Sequence, residues 1–276
     1  MPTSILSPAK INLTLEILGR RPDGYHDLST IFHTISFSDE LFFDLNAQDF
    51  TFTCDDPAVP LGEENLVVKA VRGIETIIGH PVKGHIELRK RIPMGAGLGG
   101  GSSNAAAVLR ELGHKFAIKE ETLHPLAATL GADVPFFLNG KTAWGQGKGE
   151  SLVPLPSLPA FPVVIVKPPF PISTALAYSK VTRYGKGEKT KKVVELIRSG
   201  KFDEIFEHLT NDFEEALFPL FPDLPKIKET FVANGARAAL LSGSGSAMFA
   251  VARDESHAEE LAQKVKMFGS TWITST

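Results

Sequence analysis

The segment that decides the fold is a glycine-rich stretch, Pro93-Met94-Gly95-Ala96-Gly97-Leu98-Gly99-Gly100-Gly101-Ser102-Ser103. It stands between a charged, alternating segment and an alanine-rich run that begins at Asn104. Glycines remove the Cβ atoms that would keep a ligand away from the backbone, and the start of the next helix presents unpaired N–H groups and the positive end of the helix dipole. Phosphate is the ligand that this combination favours.

Three well-known glycine-rich loops can be compared with this stretch. A Walker A loop requires a Lys after its last glycines, and the stretch contains none, so that class is excluded. The spacing of Gly95, Gly97 and Gly100 matches a dinucleotide-binding fingerprint, but residues 86–93 alternate apolar and charged side chains, unlike the buried parallel strand that precedes such a fingerprint. The protein-kinase loop fails too, since the H-R-D and D-F-G motifs are missing. A glycine-rich turn without a ligand stays open, although so many glycines make a costly loop.

Composition predicts a soluble globular chain. It has 276 residues, a net charge of −3, 43% hydrophobic and 22% charged residues, which fits one large or two modest domains. We expect two, 1–155 and 156–276, divided at the proline-rich segment 154–162. Charge predicts no nucleic-acid partner, and the lack of a signal pattern or long apolar run predicts a cytoplasmic protein without a membrane partner. The single Cys54 permits no internal disulfide or thiolate metal cluster, and the oligomeric state is left open.

Periodicity predicts a mixed α+β chain. The alternation that starts at Lys10 predicts a one-sided strand with Lys10 and Asn12 on its polar face. Strands are expected at 11–17, 29–36, 39–45, 49–53, 163–166, 238–241, 248–251 and 270–274, and helices at 65–78, after the glycine stretch, and at 122–130, 191–199, 201–216, 224–234 and 257–268. Residues 186–192 are expected to form a basic loop. The order strand, glycine turn, strand, helix, strand near the end favours an α+β sandwich.

Three segments resemble the motifs of the GHMP small-molecule kinases: 8–13 (PAKINL), the glycine stretch, and 241–246 (LSGSGS). Two further runs, 19–28 (GRRPDGYHDL) and 131–138 (GADVPFFL), resemble the branch of that family whose substrate carries a cytidine diphosphate. The resemblance covers both halves of the chain. It implies a two-domain GHMP kinase fold, with an N-terminal ATP domain like domain 2 of ribosomal protein S5 and a C-terminal ferredoxin-like α/β sandwich.

The resemblance also implies the chemistry, which is transfer of the γ-phosphoryl group of ATP to an alcohol. The glycine stretch would wrap the ATP phosphates, and Lys10 and Asp133 would form the catalytic pair, with Asn12 near the reacting hydroxyl. Such a transfer needs a group that orients or accepts the hydroxyl proton and a cation over the phosphoryl charge. Mg²⁺ is expected to bridge the phosphates. Ser102 or Ser103 offers it a hydroxyl, and no carboxylate is dedicated to it.

The substrate part of the resemblance rests on the Gly-Tyr-His element. It implies that Tyr25 and His26 receive the cytosine of a small-molecule substrate with a cytidine diphosphate moiety, and that Tyr178 is a second aromatic against the base. The turn at 243–246 would help to shape the site. Another alcohol of the family, such as homoserine or mevalonate, and a non-catalytic nucleotide-binding module are the alternatives; the presence of both Lys10 and Asp133 argues against the second.

Overall fold

The computed structural model describes residues 3–46 and 48–276, which form two compact units. Unit 1 takes in the described residues of Met1–Ala9, Phe37–Ile92 and Gly99–Gly140, and unit 2 takes in Lys10–Ser36, Pro93–Leu98 and Lys141–Thr276. Two long strands, β1 (Thr3–Arg20) and β2 (His26–Asp44), contribute residues to both units. The expected domain division between residues 155 and 156 stays a prediction.

Unit 1 combines strands of a larger sheet with four helices. Its other strands are β3 (Phe50–Cys54) and β4 (Gly84–Arg89); β4 pairs antiparallel with the end of β2 and parallel with β3. The helices are α1 (Leu66–Ile78), α2 (Gly100–Lys115), α3 (Glu120–Leu130) and α4 (Val134–Asn139). Helix α2 contacts the other three, so its alanines at 105, 106 and 107 are fully buried.

Local signals set the helix ends of unit 1. Helix α1 begins after Asn65, whose side chain accepts the N–H of Val67, and ends at Gly79, which has a φ of 74°. Helix α3 ends at Gly131, as expected. The short helix α4, which begins directly after Asp133, was not predicted from the sequence.

Unit 2 contains the remaining elements. In chain order they are β5 (Thr142–Gly147), β6 (Ser151–Pro154), β7 (Pro162–Lys167), α5 (Thr174–Ser179), α6 (Glu188–Arg198), a 3₁₀ helix (Phe202–His208), β8 (Thr210–Asn211), α7 (Phe213–Leu217), α8 (Asp223–Ala233), β9 (Ala238–Leu241), β10 (Met248–Val251), α9 (Glu255–Val265), a 3₁₀ turn (Lys266–Phe268) and β11 (Ser270–Ser275). Residues 188–192 thus belong to a helix rather than to the expected basic loop. The strands expected at 29–36 and 39–45 are one strand, β2.

The C-terminal part of unit 2 is a two-layer α+β sandwich. Its four-stranded antiparallel sheet has the order β11-β7-β10-β9, and α8 and α9 pack on one face. Alternate strand residues such as Val164, Met248 and Ala250 share a core with Phe231 and Leu261 of the helices. The α+β sandwich expected from the order of elements is therefore confirmed.

Strand β1 differs from the one-sided strand that its alternation predicts. Lys10, Asn12 and Glu16 on its polar face are only 3%, 1% and 3% exposed. Other segments of unit 2 cover this face with hydrogen bonds; the Glu16 carboxylate, for example, accepts the backbone N–H of Thr190 at 2.7 Å. Because buried polar groups need partners, the face is a hydrogen-bonded interior and not a solvated surface.

The prediction of a single helix over 201–216 is wrong. The segment contains a 3₁₀ helix, the short strand β8 and helix α7, because β8 pairs in parallel with β1. The side-chain amide of Asn211 donates to the carbonyls of Leu241 and Gly243, both at 2.8 Å. These tertiary hydrogen bonds override the local helical spacing.

Candidate active site

In unit 2, the ammonium group of Lys10 is held by the side chain of Asn12. Lys10 Nζ donates to Asn12 Oδ1 at 2.7 Å, and Asn12 Nδ2 donates to Thr30 Oγ1 at 2.7 Å. The Thr30 hydroxyl uses its own hydrogen for the carbonyl of Thr14, at 2.6 Å, so it accepts from Asn12. The Asn12 amide is thereby oriented with its oxygen toward Lys10. The alternation of β1 predicted that Lys10 and Asn12 lie on one face; Thr30 was missed because it lies on another strand.

The first part of the glycine stretch, residues 93–98, packs against the second glycine turn, residues 242–246. Two hydrogen bonds join them, Ser242 Oγ to the Gly97 carbonyl at 3.1 Å and Ser246 N–H to the Gly95 carbonyl at 3.3 Å. The next residue, Ala247, adds a third from its N–H to the Ala96 carbonyl at 3.2 Å. Gly97 has a φ of 73°, and a Cβ there would lie 1.9 Å from the Ser242 carbonyl oxygen. Only glycine permits this approach, so the second turn supports the first.

The second glycine turn also reaches Lys10. A Cβ on Gly243 would lie 3.1 Å from Lys10 Nζ, and the backbone N–H of Lys10 donates to the Leu98 carbonyl at 3.0 Å. Asn211 holds the turn from the other side through the Gly243 carbonyl. Lys10, the first part of the glycine stretch and the second turn are therefore neighbours in unit 2.

In unit 1, the rest of the glycine stretch opens helix α2. Gly99, at its N-cap with a φ of 72°, has no side chain to cap the first N–H groups of the helix. Gly101 is exposed and Ser102 is half-buried, whereas Ser103 is buried and its Oγ accepts from the Ser7 hydroxyl at 2.8 Å. The first turn of α2 thus retains N–H donors suited to an anion.

Asp133 also belongs to unit 1, at the N-cap of α4, and is half-buried. A Cβ on Gly131 would lie 3.9 Å from Ser102 Oγ, so the turn that carries Asp133 lies beside the first turn of α2. Lys10 and Asp133 stand in different units, and their pairing stays a prediction.

An aromatic cluster surrounds His26 in unit 2. The rings of His26 and Tyr178 are stacked, with centroids 4.7 Å apart and planes 16° apart, and Tyr178 packs edge-on against Phe213. Tyr184 lies 6.3 Å from His26 with its ring tilted. Tyr25, the third of the 3 tyrosines of the sequence, is the neighbour of His26 in the chain. Tyr184 was missed, and the rarity of tyrosine was the signal that could have found it.

Tyr25 and His26 present different surfaces. Tyr25 is 59% exposed, and Lys148 Nζ lies 4.6 Å from the centroid of its ring. Burial, and to a smaller degree the charge of Arg20, lowers the pKa of His26 below its ordinary value. The imidazole is therefore neutral near pH 7, with one donor and one acceptor nitrogen.

Two family models match the chain, in agreement with this arrangement. Residues 65–141 match the GHMP kinases N terminal domain, and residues 193–270 match the GHMP kinases C terminal domain. Together the matches cover more than half of the sequence. The chain belongs to the GHMP kinase family, and the two-domain fold expected from its motifs is confirmed.

Within that family, the chain is similar over nearly its whole length to kinases named 4-diphosphocytidyl-2-C-methyl-D-erythritol kinase. The relative from Syntrophus aciditrophicus is 39% identical, over 97% of this chain and 96% of its own. The relative from Thermus thermophilus is also 39% identical, over 97% of this chain and 94% of its own.

Solved structures show the same relationship. A crystal structure of 4-(cytidine 5'-diphospho)-2C-methyl-D-erythritol kinase is 38% identical, has a TM-score of 0.85, and covers 99% of this chain and 98% of its own. A homoserine kinase from Cytophaga hutchinsonii, with a TM-score of 0.79, is 19% identical and covers 99% of this chain and 94% of its own. The homoserine kinase shares the fold alone.

Proposed function

We propose that the chain transfers the γ-phosphoryl group of ATP to the 2-hydroxyl of 4-diphosphocytidyl-2-C-methyl-D-erythritol, giving the 2-phosphate and ADP, in the non-mevalonate route to isoprenoid precursors. The observation that carries this proposal is the identity of 39% over 97% of the chain with kinases of that name. A homoserine or mevalonate substrate has only the shared fold in its favour, at 19% and 14% identity.

The glycine stretch is the phosphate-binding part of the proposal. The first N–H groups of α2 lack a side-chain cap at Gly99, and the positive end of the helix dipole favours an anion there. The carbonyls of residues 95–97 accept hydrogen bonds from Ser246, Ala247 and Ser242, which restrain the loop backbone. ATP phosphates are therefore bound mainly by backbone N–H groups.

Lys10 and Asp133 are the proposed catalytic pair, on the strength of the resemblance. Asp133 orients the substrate hydroxyl and accepts its proton, and Lys10 stabilises the negative charge that develops during transfer. A carboxylate is a weak base toward an alcohol, so the proton moves late. The Asn12–Thr30 hydrogen bonds support this role, because they fix the ammonium group before substrate binds and reduce the reorganisation that catalysis needs.

Recognition of cytosine is assigned to Tyr25 and His26. The exposed face of Tyr25 provides a stacking surface, which attracts any base, so hydrogen bonds must select cytosine. Cytosine carries an amino donor where uracil carries a carbonyl acceptor. Tyr178 covers one face of His26, which leaves the edge of a neutral imidazole to accept from the amino group. The ring of Tyr184 lies beside His26 in the same cluster.

Mg²⁺ is the proposed metal, and the residues present fit it. Among residues 3–46 and 48–276, no three His, Cys, Asp or Glu side chains form a metal site. Mg²⁺ keeps several waters and takes phosphate oxygens, so it needs few protein ligands. Ser102 is the better hydroxyl, because Ser103 is buried and bonded to Ser7. When bound, the ion neutralises charge on the phosphates.

A coupled assay of ADP release tests the proposal. The panel contains the cytidine substrate, its uridine analogue, homoserine and mevalonate, each with ATP and Mg²⁺. We expect the cytidine compound to have the highest kcat/KM, because the analogues leave buried polar groups unpaired or fail to reach the cluster. If homoserine or mevalonate is turned over as efficiently as the cytidine compound, the proposed substrate is refuted and only the family assignment remains.

A further inference from the structure

Asp39, on β2 in unit 1, is a fully buried carboxylate that the proposed mechanism does not use. Its Oδ2 accepts from Lys90 Nζ at 2.5 Å and from Asn104 Nδ2 at 3.0 Å. Its Oδ1 accepts from the backbone N–H groups of Arg91 at 2.7 Å and Ile92 at 2.8 Å. A carboxylate has about four acceptor positions, and these four donors fill them.

The donors come from both ends of the glycine stretch. Arg91 and Ile92 directly precede Pro93, and Asn104 directly follows Ser103. Asn104 also donates to the Ser7 hydroxyl at 3.0 Å, which in turn donates to Ser103 Oγ. The network therefore reaches the first turn of α2 from the segment before the stretch.

The packing at Gly100 reinforces this connection. A Cβ on Gly100 would lie 2.9 Å from Lys90 Nζ and 2.9 Å from Ile92 Cγ2. The segment at 90–92 thus lies directly against the first turn of α2, and the separation between them is narrowly defined. Low dielectric surroundings strengthen the hydrogen bonds to a buried carboxylate and make the loss of any one of them costly.

We infer that Asp39 is a positioning residue for nucleotide binding: by holding residues 90–92 and Asn104 on one carboxylate, it fixes the distance between the two ends of the glycine stretch. This directs the N–H groups of the first turn of α2 toward the phosphates. The inference rests on the proposed function, in which that stretch binds ATP.

A purely structural ion pair would behave differently from a positioning residue. Loss of stability alone leaves the affinity of the folded protein for ATP unchanged, whereas a shift in the stretch weakens ATP binding in the folded state. Small displacements of binding groups produce large losses of affinity or rate. The two roles are therefore separated by measuring ATP affinity and thermal stability on the same variants.

The test compares three variants of the full chain with a control. Asn104→Ala removes one of the four donors, Asp39→Asn removes the charge, and Asp39→Asn with Asn104→Asp exchanges the two side chains and restores an amide facing a carboxylate. The control, Leu112→Ala, removes a fully buried side chain near the other end of α2. Calorimetry measures the Kd for ATP, kinetics the KM of the cytidine substrate, and thermal unfolding the stability.

We expect Asn104→Ala to raise the Kd for ATP about tenfold or more with an unchanged KM for the cytidine substrate. The exchange is expected to recover affinity relative to Asp39→Asn, and Leu112→Ala to lose stability without losing affinity. If Asp39→Asn does not fold, Asn104→Ala decides the question. If Asn104→Ala binds ATP as tightly as Leu112→Ala does, and the wild-type chain binds ATP, the inference about Asp39 is overturned and the proposed ATP site is not. A wild-type chain that does not bind ATP would overturn the proposed function as well.

Discussion

At the scale of single residues, the position of Lys10 depends on a hydroxyl two hydrogen bonds away. Thr30→Val removes the acceptor of the Asn12 amide, so the amide is left unpaired or turns, and Asn12 Oδ1 no longer has a fixed position beside Lys10. We predict a fall in kcat of about tenfold with little change in the KM for ATP. Steady-state kinetics checks this, with Thr30→Ser, which keeps the hydroxyl, as the matched control. Equal losses in both variants would argue against the hydrogen-bonded chain.

His26 provides a prediction about pH at the same scale. Its pKa lies below 6.5 because of burial and Arg20, so the ring is neutral above that pH and can accept from the cytosine amino group. As pH falls through the lowered pKa, the imidazolium keeps two donors and no acceptor, which favours uracil. The ratio of kcat/KM for the cytidine and uridine substrates should fall on acidification below pH 6.5. His26→Asn, which does not titrate, should give a ratio independent of pH. A pH-independent ratio in the wild type would exclude this role.

At the scale of elements, the glycines of the stretch have different tasks. Gly97 meets the second glycine turn, so Gly97→Ala is expected to lower thermal stability through the clash with Ser242. Gly101 is exposed on the first turn of α2, and the nearest atom to a Cβ there is Leu66 Cδ1 at 3.7 Å. Gly101→Leu should keep the fold, since leucine is a good helix former, yet weaken ATP binding about tenfold by covering the N–H groups.

Calorimetry and thermal unfolding check both glycine variants. His114→Leu, at an exposed position in the last turn of the same helix, controls for an added apolar side chain and should bind ATP normally. Wild-type ATP affinity in Gly101→Leu would show that phosphate is bound elsewhere.

The elements that the sequence predicted well are those with local signals. Asn65 and Gly79 mark the two ends of α1, and the helical spacing of the apolar residues between them predicts the helix. The failures have tertiary causes: Asn211 and the parallel pairing of β8 replace a predicted helix, and hydrogen bonds from distant segments bury the polar face of β1. In the site, alternation predicted that Lys10 and Asn12 share one face of β1. Thr30 and Asp39 could not be found in this way, because each acts on residues far away in the sequence.

At the scale of the whole molecule, His33 links stability to pH. Its Nδ1 is hydrogen-bonded to Thr142 Oγ1 at 2.8 Å, and within the described part of the chain its Nε2 has no partner. Burial lowers the pKa of His33 to about 4 from 6.5. The unfolded chain therefore binds a proton in this window while the folded chain does not, so stability falls as pH falls from 6.5 to about 4.

Replacement of His33 should remove this dependence. We predict that denaturant unfolding between pH 7 and pH 4.5 shows a smaller loss of unfolding free energy in His33→Gln than in the wild type, by on the order of 2 kcal/mol. His80→Gln, at an exposed histidine, should follow the wild type. Parallel curves for His33→Gln and the wild type would contradict the shifted pKa.

The transfer reaction itself is tested most directly by phosphorus NMR of the product made from ATP, Mg²⁺ and 4-diphosphocytidyl-2-C-methyl-D-erythritol. We predict a new phosphomonoester at the 2-position with wild-type enzyme. Asp133→Asn and Lys10→Met should form it roughly 100-fold more slowly or worse, because each removes a group that acts in the transition state. Absence of the 2-phosphate with a folded wild-type chain, or its formation at the normal rate by either variant, would contradict the proposed reaction or the role of that residue.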